Sequence, residues 1–323
     1  MRSLITGISG QDGTLLARRL RGEDVEVHGL VRAEDDLGVV RAALPEGTHL
    51  HVGDLTDAAL LASVVRDVGP DEVYNLGGIS SVAYSWEHPV ETGAVSGLGA
   101  VAVYEAAYRA QQASGRAVRV VQASSAEIFG EPETAPQDEQ VRVRPVSPYG
   151  AAKAYAHLMA DVYRRRGLGV SGVVLYNHES PLRPTAFVTR KITAAAARIA
   201  HEGGGTLALG NLDARRDWGW APDYVDAMVR VARHASADDY VVATGVAHSV
   251  GEFVAAAFAR VGIEDWRAHV EVDPAFVRPA DPSQIVGDAS RLREELGWAP
   301  TITFEELVGR MVDHDVALLR GSE

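Results

Sequence analysis

The sequence predicts an α/β protein built on a doubly wound parallel sheet. Short β-branched runs alternate with helical patterns through the first half of the chain, and a glycine-rich turn follows the first of these runs. The chain has 323 residues, 46% of them hydrophobic, which is enough for one large domain and a smaller lobe. Alternating strands and helices form right-handed βαβ units with parallel strands, whose ligands bind beyond the carboxyl ends of the strands.

The first half contains predicted strands that alternate with predicted helices, except that the third strand follows the second without a helix between them. In chain order, the strands are RSLITG, EVHGLVR, THLHVGDLTD, DEVYNLGG and AVRVVQASS. The helices between them are DGTLLARRLRGE, AALLASVVRDVG and PVETGAVSGLGAVAVYEAAYRA. The strands are short apolar runs bounded by turn-forming residues, whereas the helices repeat apolar residues every three or four positions. Gly22 closes the first helix, because glycine accepts the backbone conformation that ends a helix.

The second half is less regular from about residue 180 onward. The segments KITAAAARIAHEGGG, VGEFVAAAFARVG and SRLREELGW are predicted helices, and ADDYVVATG is a predicted strand. The change in pattern predicts a smaller α/β lobe after the parallel sheet.

The composition excludes several classes of function. There are no cysteines, so disulfides and thiolate chemistry are excluded and a reducing cytoplasm is the expected location. The net charge of −13 argues against nucleic-acid and anionic-membrane partners. No apolar run is long enough to span a membrane, and Met1 lies too close to the first strand to leave room for a targeting peptide. The eleven histidines lack the usual metal-site spacings, so no metal is expected.

The segment TGISGQDG carries a nucleotide-binding fingerprint. Gly7, Gly10 and Gly13 follow the first strand and open the first helix, with Gln11 and Asp12 between them. The first glycine permits a tight turn, the second lets the backbone approach a pyrophosphate, and the third allows close packing of the helix on the sheet. The N–H groups of the helix N-terminus then bind the phosphates, so the pattern predicts dinucleotide binding.

The ends of the second and third strands bear on the identity of the cofactor. Arg32 ends the second strand, where an arginine favours the 2′-phosphate of NADP and an acid would favour the ribose of NAD. NADP is therefore predicted, with NAD as the alternative. Asp54 and Leu55 end the third strand, where a side chain can reach the adenine. We predict an NADP-binding domain over residues 1–176 and a substrate lobe over residues 177–323, parts of which return to the first domain.

The segment SPYGAAKAYAH predicts a catalytic pair. Tyr149 and Lys153 are four residues apart, which places both side chains on one face of a helix. The positive charge of the lysine favours the tyrosinate, so that the phenol can act as a base near neutral pH. This spacing alone is usually structural, but downstream of a glycine fingerprint it predicts catalysis.

The chain resembles the extended short-chain dehydrogenase/reductase superfamily and, within it, is similar to the GDP-mannose 4,6-dehydratase family. The resemblance runs nearly end to end, through TGISGQDGTLLA, GDLTD, SPYGAAKAYAH, NHESP, FVTRKIT, GNLDARRDWGWAPDYV, RPADPSQIVGD and LGWAP. It implies a Rossmann-type fold, a nucleotide-diphosphate sugar as substrate with a GDP-hexose favoured, and a homodimer with a tetramer as the alternative.

The resemblance implies roles for four residues in an internal oxidation and reduction of the sugar. Tyr149 is implied as the base at the 4-hydroxyl, Lys153 as its electrostatic partner and Ser125 as a hydrogen-bond partner of O4. Glu127 is implied as the base that removes the C5 proton. Hydride passes from C4 to the cofactor and returns to C6, while the 6-hydroxyl leaves as water.

The resemblance also implies a set of substrate-binding residues. Arg216 and Arg278 match arginines that hold the diphosphate, a role that suits the guanidinium group. Asp281 stands where the family has a glutamate for the ribose hydroxyls, and Asn177 would contact the phosphate or the sugar. The remaining implied contacts are Ser81, Arg183, Val188 and Lys191.

Several residues depart from the family pattern and keep other functions open. Ala126 stands where the family has serine, so the pair Ser125-Ala126 is typical of the epimerases and leaves Glu127 as the acid of this motif. Further differences around the expected sugar site are Ile79, Ser81, Leu182, Thr185 and Trp220. The alternatives to a dehydratase are a C4 epimerase or 4-ketoreductase of the same superfamily and, from another class, a non-catalytic NADP-binding protein.

Overall fold

The described residues follow the alternation of strands and helices predicted from the sequence. The computed structural model describes residues 1–276, residue 282 and residues 284–321. In chain order, the strands are β1 (Arg2–Thr6), β2 (Glu26–Val31), β3 (His49–Val52), β4 (Glu72–Asn75), β5 (Arg119–Ala123), β6 (Gly169–Leu175), β7 (Asn177–Glu179), β8 (Leu207–Leu209), β9 (Arg215–Trp220), β10 (Asp239–Val242), β11 (Ala247–Ser249), β12 (Val270–Val272) and β13 (Gln284–Ile285). The α-helices are α1 (Gln11–Arg21), α2 (Leu37–Ala43), α3 (Ala58–Val68), α4 (Val82–Glu87), α5 (Pro89–Thr92), α6 (Gly99–Ser114), α7 (Pro148–Arg165), α8 (Val188–Glu202), α9 (Ala221–Arg233), α10 (Val250–Arg260), α11 (Ser290–Leu296) and α12 (Phe304–Arg320).

The large sheet confirms the predicted fold class. Its strands lie in the order β10, β6, β5, β4, β1, β2, β3, and every neighbouring pair is parallel. The strand order reverses at β1, because β2 and β3 extend one side of it while β4 and the later strands extend the other. This is a doubly wound, Rossmann-type sheet, and its ligand crevice lies at the carboxyl ends of β1 and β4.

Apolar side chains from both faces of this sheet form two separate cores. On β1, Leu4 packs in the core that includes Leu61 of α3 and Val103 of α6. The next residue, Ile5, packs on the opposite face with residues of α1 and α9, among them Leu16. Side chains alternate across a strand, so a strand buried on both faces is apolar throughout. This is why the sequence shows these strands clearly.

The smaller lobe has its own sheets and its own core. β9 pairs with β7 and β13 in parallel and with β11 in antiparallel fashion, and β8 pairs with β12. Helices α8, α10 and α12 supply most of a third apolar cluster, which includes Trp218, Phe253 and Met311. β10 comes after β7, β8 and β9 in the sequence, but it pairs with β6 and therefore belongs to the large sheet.

The long helix predicted near residues 89–110 is divided in the structure. α5 ends at Thr92, Gly93–Leu98 form a π-helix, and α6 begins at Gly99. The helix packs closely on the segment that follows β3 at this point. A Cβ at Gly99 would lie 2.9 Å from the Cβ of Leu55. Glycine also has low helix propensity, so several glycines in one segment weaken the regular helix.

Four α-helices of the described chain are absent from the sequence prediction: α2, α4, α9 and α12. α2 is capped by Asp36, whose side chain accepts hydrogen bonds from the backbone N–H groups of Gly38 and Val39. α4 is capped by Ser81, whose hydroxyl accepts a hydrogen bond from the N–H of Tyr84. These two helices are short, so their apolar periodicity is too brief to detect. α9 and α12 have 13 and 17 residues and bury apolar side chains at helical spacing, so the sequence carried a signal for both. Within the described part of the chain, no helix combines the length and apolar character needed to cross a membrane.

A buried ion pair joins two helices of the smaller lobe. Arg190 of α8 donates from Nη2 to Asp315 Oδ1 at 2.6 Å and from Nε to the same carboxylate at 2.9 Å. Thr193 adds a hydrogen bond of 2.7 Å to Asp315 Oδ2, and both charged side chains are less than 10% exposed. Such a pair tolerates the loss of one partner poorly, because the other charge stays buried.

We therefore predict that Asp315→Ala lowers the free energy of unfolding by about 3–5 kcal/mol, because it leaves the Arg190 guanidinium buried and uncompensated. Asp313→Ala on the same helix is the matched control. Its partner Arg260 is about half exposed, as is Asp313 itself, and exposed pairs contribute less than about 1 kcal/mol. Urea unfolding of the two variants measures both effects. Equal losses would contradict the buried pair as the main link between α8 and α12.

Candidate active site

The glycine turn after β1 forms a cradle of backbone atoms in which side chains do not fit. Gly7 has φ +69°, and a Cβ at this position would lie 2.8 Å from the Cα of Gly77, which follows β4. A Cβ at Gly13 would lie 2.3 Å from the carbonyl oxygen of Gly7. Gly10 precedes α1 and supplies no side-chain cap, so the first N–H groups of this helix face the crevice without a side-chain acceptor from that position. This cradle fits the pyrophosphate of a dinucleotide.

The side chains of Gln11 and Asp12 turn away from the cradle and contact β7. Gln11 Nε2 donates to the carbonyl of His178 at 3.2 Å, and Gln11 Oε1 accepts from the Ser180 hydroxyl at 2.8 Å. Asp12 Oδ2 lies 2.8 Å from His178 Nε2. We therefore assign any cofactor contact at positions 11 and 12 to the backbone N–H groups.

His178 lies between the carbonyl of Tyr176 and the carboxylate of Asp12. Its Nδ1 lies 2.7 Å from the carbonyl oxygen of Tyr176, and its Nε2 lies 2.8 Å from Asp12 Oδ2. Burial opposes the charge on Asp12, but His178 and then Arg183 outweigh it and lower the pKa of Asp12 to about 2. His178 thus packs locally and its ring stacks on Tyr224 at 4.5 Å.

Arg32 lies at the end of β2 and is held by two acids. Its Nη1 is 3.1 Å from Glu34 Oε1 and its Nη2 is 3.0 Å from Asp35 Oδ1. The other oxygen of Asp35 accepts from the backbone N–H of Arg32 and from the hydroxyl of Ser9 in the glycine turn. The guanidinium is 62% exposed, so it stands at the rim of the crevice next to the cradle.

Asp54 and Leu55 follow β3 and differ in their surroundings. Asp54 is exposed, and its Oδ1 accepts from the N–H of Thr56 at 2.7 Å and from the Thr56 hydroxyl at 2.6 Å. These hydrogen bonds lower the pKa of Asp54. Leu55 is buried and lies close to Gly77 and Gly99. Leu55 therefore forms part of the apolar floor beneath the segment that the cofactor would cross.

The predicted Tyr149–Lys153 pair lies in the first turns of α7, beneath the crevice. Ser147 caps this helix, and the N–H of Tyr149 donates to the hydroxyl of Ser85 on α4 at 3.1 Å. Tyr149 and Lys153 are both less than 10% exposed, and the ammonium lies 5.9 Å from the centre of the phenol ring. The spacing of four residues places both groups on one helix face, as predicted from the sequence.

Burial is the largest influence on the pKa values of Tyr149 and Lys153 in the protein without a cofactor. It raises the pKa of the Tyr149 hydroxyl to about 12, in the same direction as the Glu127 charge and against the Ser125 hydrogen bond and Arg183. Burial also lowers the pKa of Lys153 to about 8. The tyrosinate therefore needs a further positive charge, which an oxidised nicotinamide ring beside the phenol would supply.

Ser125 and Glu127 stand next to the pair on a short 3₁₀ turn after β5. Ser125 begins this turn, and its Oγ accepts from the N–H of Glu127 at 3.2 Å. The turn packs directly on α7, because a Cβ at Gly150 would lie 2.6 Å from the Glu127 carbonyl oxygen. Both side chains also shift the pKa of Tyr149: the Ser125 hydrogen bond lowers it, and the Glu127 charge raises it. The structure thus brings Ser125, Glu127, Tyr149 and Lys153 together.

A chain of hydrogen bonds between buried side chains runs beneath the crevice and ends at Lys153. Thr6 donates to Asn75 Oδ1 at 2.6 Å, Asn75 donates to Gln122 Oε1 at 2.7 Å, and Gln122 donates to the carbonyl of Ala123 at 2.8 Å. Lys153 Nζ donates to the same carbonyl at 3.0 Å. Thr6, Asn75 and Gln122 end or nearly end three adjacent strands, so parallel pairing aligns them. Such a network fixes the ammonium by orienting its acceptor.

The sequence analysis missed this chain, although its signal was present. Three predicted strands each carry a polar residue at the carboxyl end within an apolar run, in LIT, VYN and VVQ. Ser124 is a further missed residue: its hydroxyl is buried and has no partner among the described residues. An orphaned hydroxyl next to Ser125 fits a bound group that supplies the missing hydrogen bond. The cradle, the orphaned hydroxyl and Lys153 together fit a nicotinamide dinucleotide.

The predicted substrate residues lie on β7, α4, α8 and β9. Arg183 Nε donates to Glu179 at 2.8 Å, and the same guanidinium contacts the carbonyl of His178. Its positive charge lowers the pKa of Tyr149, which places it beside the catalytic pair. Asn177 begins β7 and is exposed. Ser81 caps α4, the helix that contacts the backbone of Tyr149 through Ser85.

The other predicted contacts lie deeper in the smaller lobe. Val188 begins α8 and is half-buried, and Lys191 Nζ donates to the carbonyl of Ala208 at 2.7 Å while it lies 3.7 Å from the centre of the Phe276 ring. Arg216 is buried and its Nη1 donates to the carbonyl of Pro282 at 2.8 Å. The predicted residues Arg278 and Asp281 lie outside the described residues.

The fold and this constellation define the class of protein. A doubly wound sheet with a dinucleotide cradle, a buried Tyr-Lys pair and an adjacent serine is the site of a short-chain dehydrogenase/reductase, which moves a hydride at a hydroxyl-bearing carbon.

Comparison with known proteins narrows this class. The family described as GDP-mannose 4,6 dehydratase matches residues 4–311. GDP-mannose 4,6 dehydratase 2 of Arabidopsis thaliana is 44% identical over 328 residues, which cover 98% of this chain and 87% of that protein. The GDP-mannose 4,6-dehydratase of Vibrio cholerae is 38% identical, with 97% and 93% of the two chains covered. The solved UDP-glucose 4-epimerase of Thermus thermophilus, in complex with NAD, matches with a TM-score of 0.85 at 27% identity over 100% of each chain. The chain belongs to the GDP-mannose 4,6-dehydratase family.

We predict that Gln122→Leu slows turnover of the nucleotide sugar about tenfold, with the KM for the sugar nearly unchanged. The change removes the donor that orients the Ala123 carbonyl and leaves the Asn75 amide without its acceptor, an effect of about 1–3 kcal/mol. A less fixed Lys153 stabilises the tyrosinate less, so the rising limb of kcat against pH moves to higher pH. Steady-state kinetics across the pH range measure both quantities.

Ser3→Ala is the control for this prediction. Ser3 is equally buried on β1 and donates to Glu72 at 2.9 Å at the amino end of the same strands. A purely structural role for Gln122 would give both variants similar losses and leave the pH profile where it is in the unsubstituted protein.

Proposed function

We propose that this protein is a GDP-mannose 4,6-dehydratase that forms the 4-keto-6-deoxy sugar and water. The observation that carries the proposal is the position of Glu127. Glu127 lies on the turn that Ser125 caps and that packs against Gly150 of α7, and its charge raises the pKa of Tyr149, so a carboxylate accompanies the base that an oxidation at C4 requires. An epimerase or a ketoreductase needs the tyrosine, the lysine and the serine, but neither reaction breaks the C5–H bond. The carboxylate is the additional group that dehydration needs.

The Tyr149–Lys153 pair and Ser125 carry out the first proton transfer. A nicotinamide held by the glycine cradle and Lys153 would supply the hydride chemistry, taking hydride from C4 and returning it to C6. Ser125 orients the 4-hydroxyl, and Tyr149 takes its proton, which then passes to solvent. Lys153 donates to the Ala123 carbonyl and keeps two N–H groups for the cofactor ribose and the phenolate. The product of this stage is a ketone at C4, which acidifies the hydrogen at C5.

Glu127 then removes water from C5 and C6. Its carboxylate takes the C5 proton and gives it to the departing 6-hydroxyl, so one molecule of water leaves and a C5–C6 double bond forms. Return of the hydride to C6 and a solvent proton to C5 complete the reaction. Atoms balance, because the hydride lost at C4 is gained at C6 and the net change is the loss of water.

Arginines of the smaller lobe bind the diphosphate in this proposal. Arg216 is buried on β9, and Arg183 lies beside the catalytic pair, so the two guanidinium groups lie at the deep and catalytic ends of the lobe. They supply positive charge inside a chain whose net charge is −13. Arginine binds phosphate oxygens in bidentate geometry, which fits a nucleotide-diphosphate sugar better than a neutral sugar. Arg278 and Asp281 are assigned to the nucleotide side by the resemblance alone.

NADP is the proposed cofactor, and NAD is the alternative. Arg32 lies at the end of β2 beside the glycine turn, where its guanidinium can bind a 2′-phosphate once it is released from Asp35. Asp35 also accepts a hydrogen bond from the Ser9 hydroxyl, which keeps its carboxylate in place when Arg32 moves to the phosphate.

A homodimer is the proposed assembly, with a tetramer as the alternative. Tyr155, Leu158 and Val162 form a stripe on α7 at helical spacing, and each is more than 40% exposed. Leu98, just before α6, is 60% exposed. An apolar stripe of this kind on one helix suits association with the same stripe of a second copy.

An epimerase or 4-ketoreductase remains the second candidate because of the pair Ser125-Ala126. Ala126 is 5% exposed, and its methyl group packs in the core cluster on the α1 face of the sheet. The residue therefore contributes to packing, and Glu127 is the acidic side chain of this turn that acts on Tyr149, beside the hydroxyl of Ser125. This arrangement favours the dehydratase.

We predict that the protein, incubated with GDP-mannose and NADP, gives a product lighter by one water, with one solvent deuterium retained at C5 in heavy water. Glu127→Gln has nearly the same shape but cannot accept a proton, so we expect product formation to fall by at least about a thousandfold. Mass spectrometry measures both results.

Glu131→Gln is the matched control, because Glu131 is an exposed glutamate on the same segment. A product of unchanged mass but altered chromatographic retention would establish an epimerase instead. Full dehydration by Glu127→Gln would exclude Glu127 as the C5 base.

We predict that Arg32→Gln weakens the binding of NADP at least tenfold and that of NAD less than twofold. Only NADP carries the 2′-phosphate, and a charge-assisted hydrogen bond contributes about 1.5–3 kcal/mol. Fluorescence titration with each cofactor measures the two dissociation constants, and Arg66→Gln, on the exposed side of α3, is the control. An equal loss for both cofactors would contradict the assignment of Arg32 to the 2′-phosphate.

A further inference from the structure

Three histidines and a glutamate meet at the edge of the large sheet, on β2 and β3. His28 on β2 is directly opposite His49 on β3 in the strand register. Glu26 is two residues before His28, and His51 is two residues after His49. Residues two apart on a strand point to the same face, so pairing of the two strands brings all four side chains together. The sequence spacing misses this cluster because its halves lie far apart in the chain.

The distances in this cluster are those of a preformed ligand set. His28 Nδ1 lies 3.0 Å from His51 Nε2, and His28 Nε2 lies 3.0 Å from Glu26 Oε1. One ligand atom each from Glu26, His28 and His49 lie within 4.8 Å of one another. The His28 ring stacks on those of His49 and His51, with centres 4.8 and 5.3 Å away. Ligand atoms of Glu26, His28 and His49 therefore lie close to one another, and His51 joins them through its contact with His28.

Hydrogen bonding fixes which nitrogen of His28 is available. Glu26 can only accept, so His28 Nε2 carries the proton and Nδ1 holds the free lone pair in the neutral ring. A carboxylate that orients a histidine through its second nitrogen is the usual arrangement behind a metal ligand. Neutral imidazole is the form that binds metals.

We propose that His28, His49 and His51, with Glu26 behind His28, bind a divalent transition cation of the zinc class. Imidazole nitrogens are preferred ligands of Zn²⁺ at about 2.0–2.1 Å, which places neighbouring ligand atoms roughly 3.4 Å apart in a tetrahedron. The His28–His51 nitrogens already stand close to that separation. His49 is exposed and can turn its ring toward them. The nearest other charged groups are Arg2, paired with Glu26, and Asp67, which favours a cation near His51.

The cation would act on the edge of the sheet that carries the adenosine end of the cofactor site. Among the described residues, β3 pairs only with β2, so its attachment depends on one strand. The carboxyl ends of these strands lead directly to Arg32 and Asp54. A cation shared by β2 and β3 links the two strands through side chains and stabilises this edge against local opening.

The test uses tag-free full-length protein treated with a chelator and then titrated with Zn²⁺ or Co²⁺. We expect one Zn²⁺ per chain at low micromolar or tighter affinity by calorimetry, a higher melting temperature with Zn²⁺, and the intense visible absorption of four-coordinate Co²⁺. His28→Gln should weaken Zn²⁺ binding at least a hundredfold and abolish the rise in melting temperature. Glu26→Gln should weaken it about tenfold, as expected for a group behind the ligand.

His88→Gln is the matched control, because His88 lies 4.0 Å from the carboxylate of Glu91 and has one imidazole and one acid without the further histidines. Circular dichroism of each metal-free variant checks that the fold is retained. Zn²⁺ binding by His28→Gln at the affinity of the unsubstituted protein would overturn the proposal. Absence of saturable binding at one equivalent would overturn it as well.

Discussion

The burial of the Lys153 ammonium beneath the carboxyl ends of the central strands is the constraint on which the catalytic arrangement depends. The low dielectric around it lowers its pKa to about 8, so the cation needs an oriented acceptor and a nearby negative charge. The carbonyl of Ala123 is that acceptor, and it is available because β5 ends there and leaves the sheet ladder. Asp12 adds the negative charge. Catalytic geometry is therefore a property of the strand ends, and α7 can place Tyr149 accurately only because Lys153 is anchored to the sheet.

The cofactor cradle and the substrate lobe are joined by a second polar contact, on the other side of the crevice. Asp12 and Gln11 belong to the phosphate-binding helix, whereas His178 and Ser180 belong to the chain that enters the smaller lobe. His178 Nε2 lies 2.8 Å from Asp12 Oδ2, and the Ser180 hydroxyl donates to Gln11 at 2.8 Å. Two motifs that look independent in the sequence, GQDG and NHESP, are thus halves of one interface.

Much of the fold could be predicted from the sequence, and the failures have physical causes. Strands buried on both faces are apolar throughout, and the Tyr149–Lys153 spacing is a property of a single helix, so local patterns were sufficient. The interruption of the predicted long helix depends on how Gly99 packs against Leu55, which no local pattern contains. The polar chain through Gln122 depends on strand register, and the histidine cluster on β2–β3 pairing, so both require tertiary structure. For the polar chain through Gln122, the polar residues at the ends of apolar runs were a signal that the sequence did contain.

The turn after β5 explains how a single acid can support elimination. Ala126 packs in the core, whereas Ser125 and Glu127 shift the pKa of Tyr149, Ser125 downward and Glu127 upward. One carboxyl group must then both remove the C5 proton and protonate the departing 6-hydroxyl. That is feasible when the two events are nearly concerted on the same side of the sugar, since the proton taken from C5 is the proton that O6 receives. A second acid at position 126 would have to leave the core to take part, so the packing of Ala126 and the proposed chemistry of Glu127 are consistent with each other.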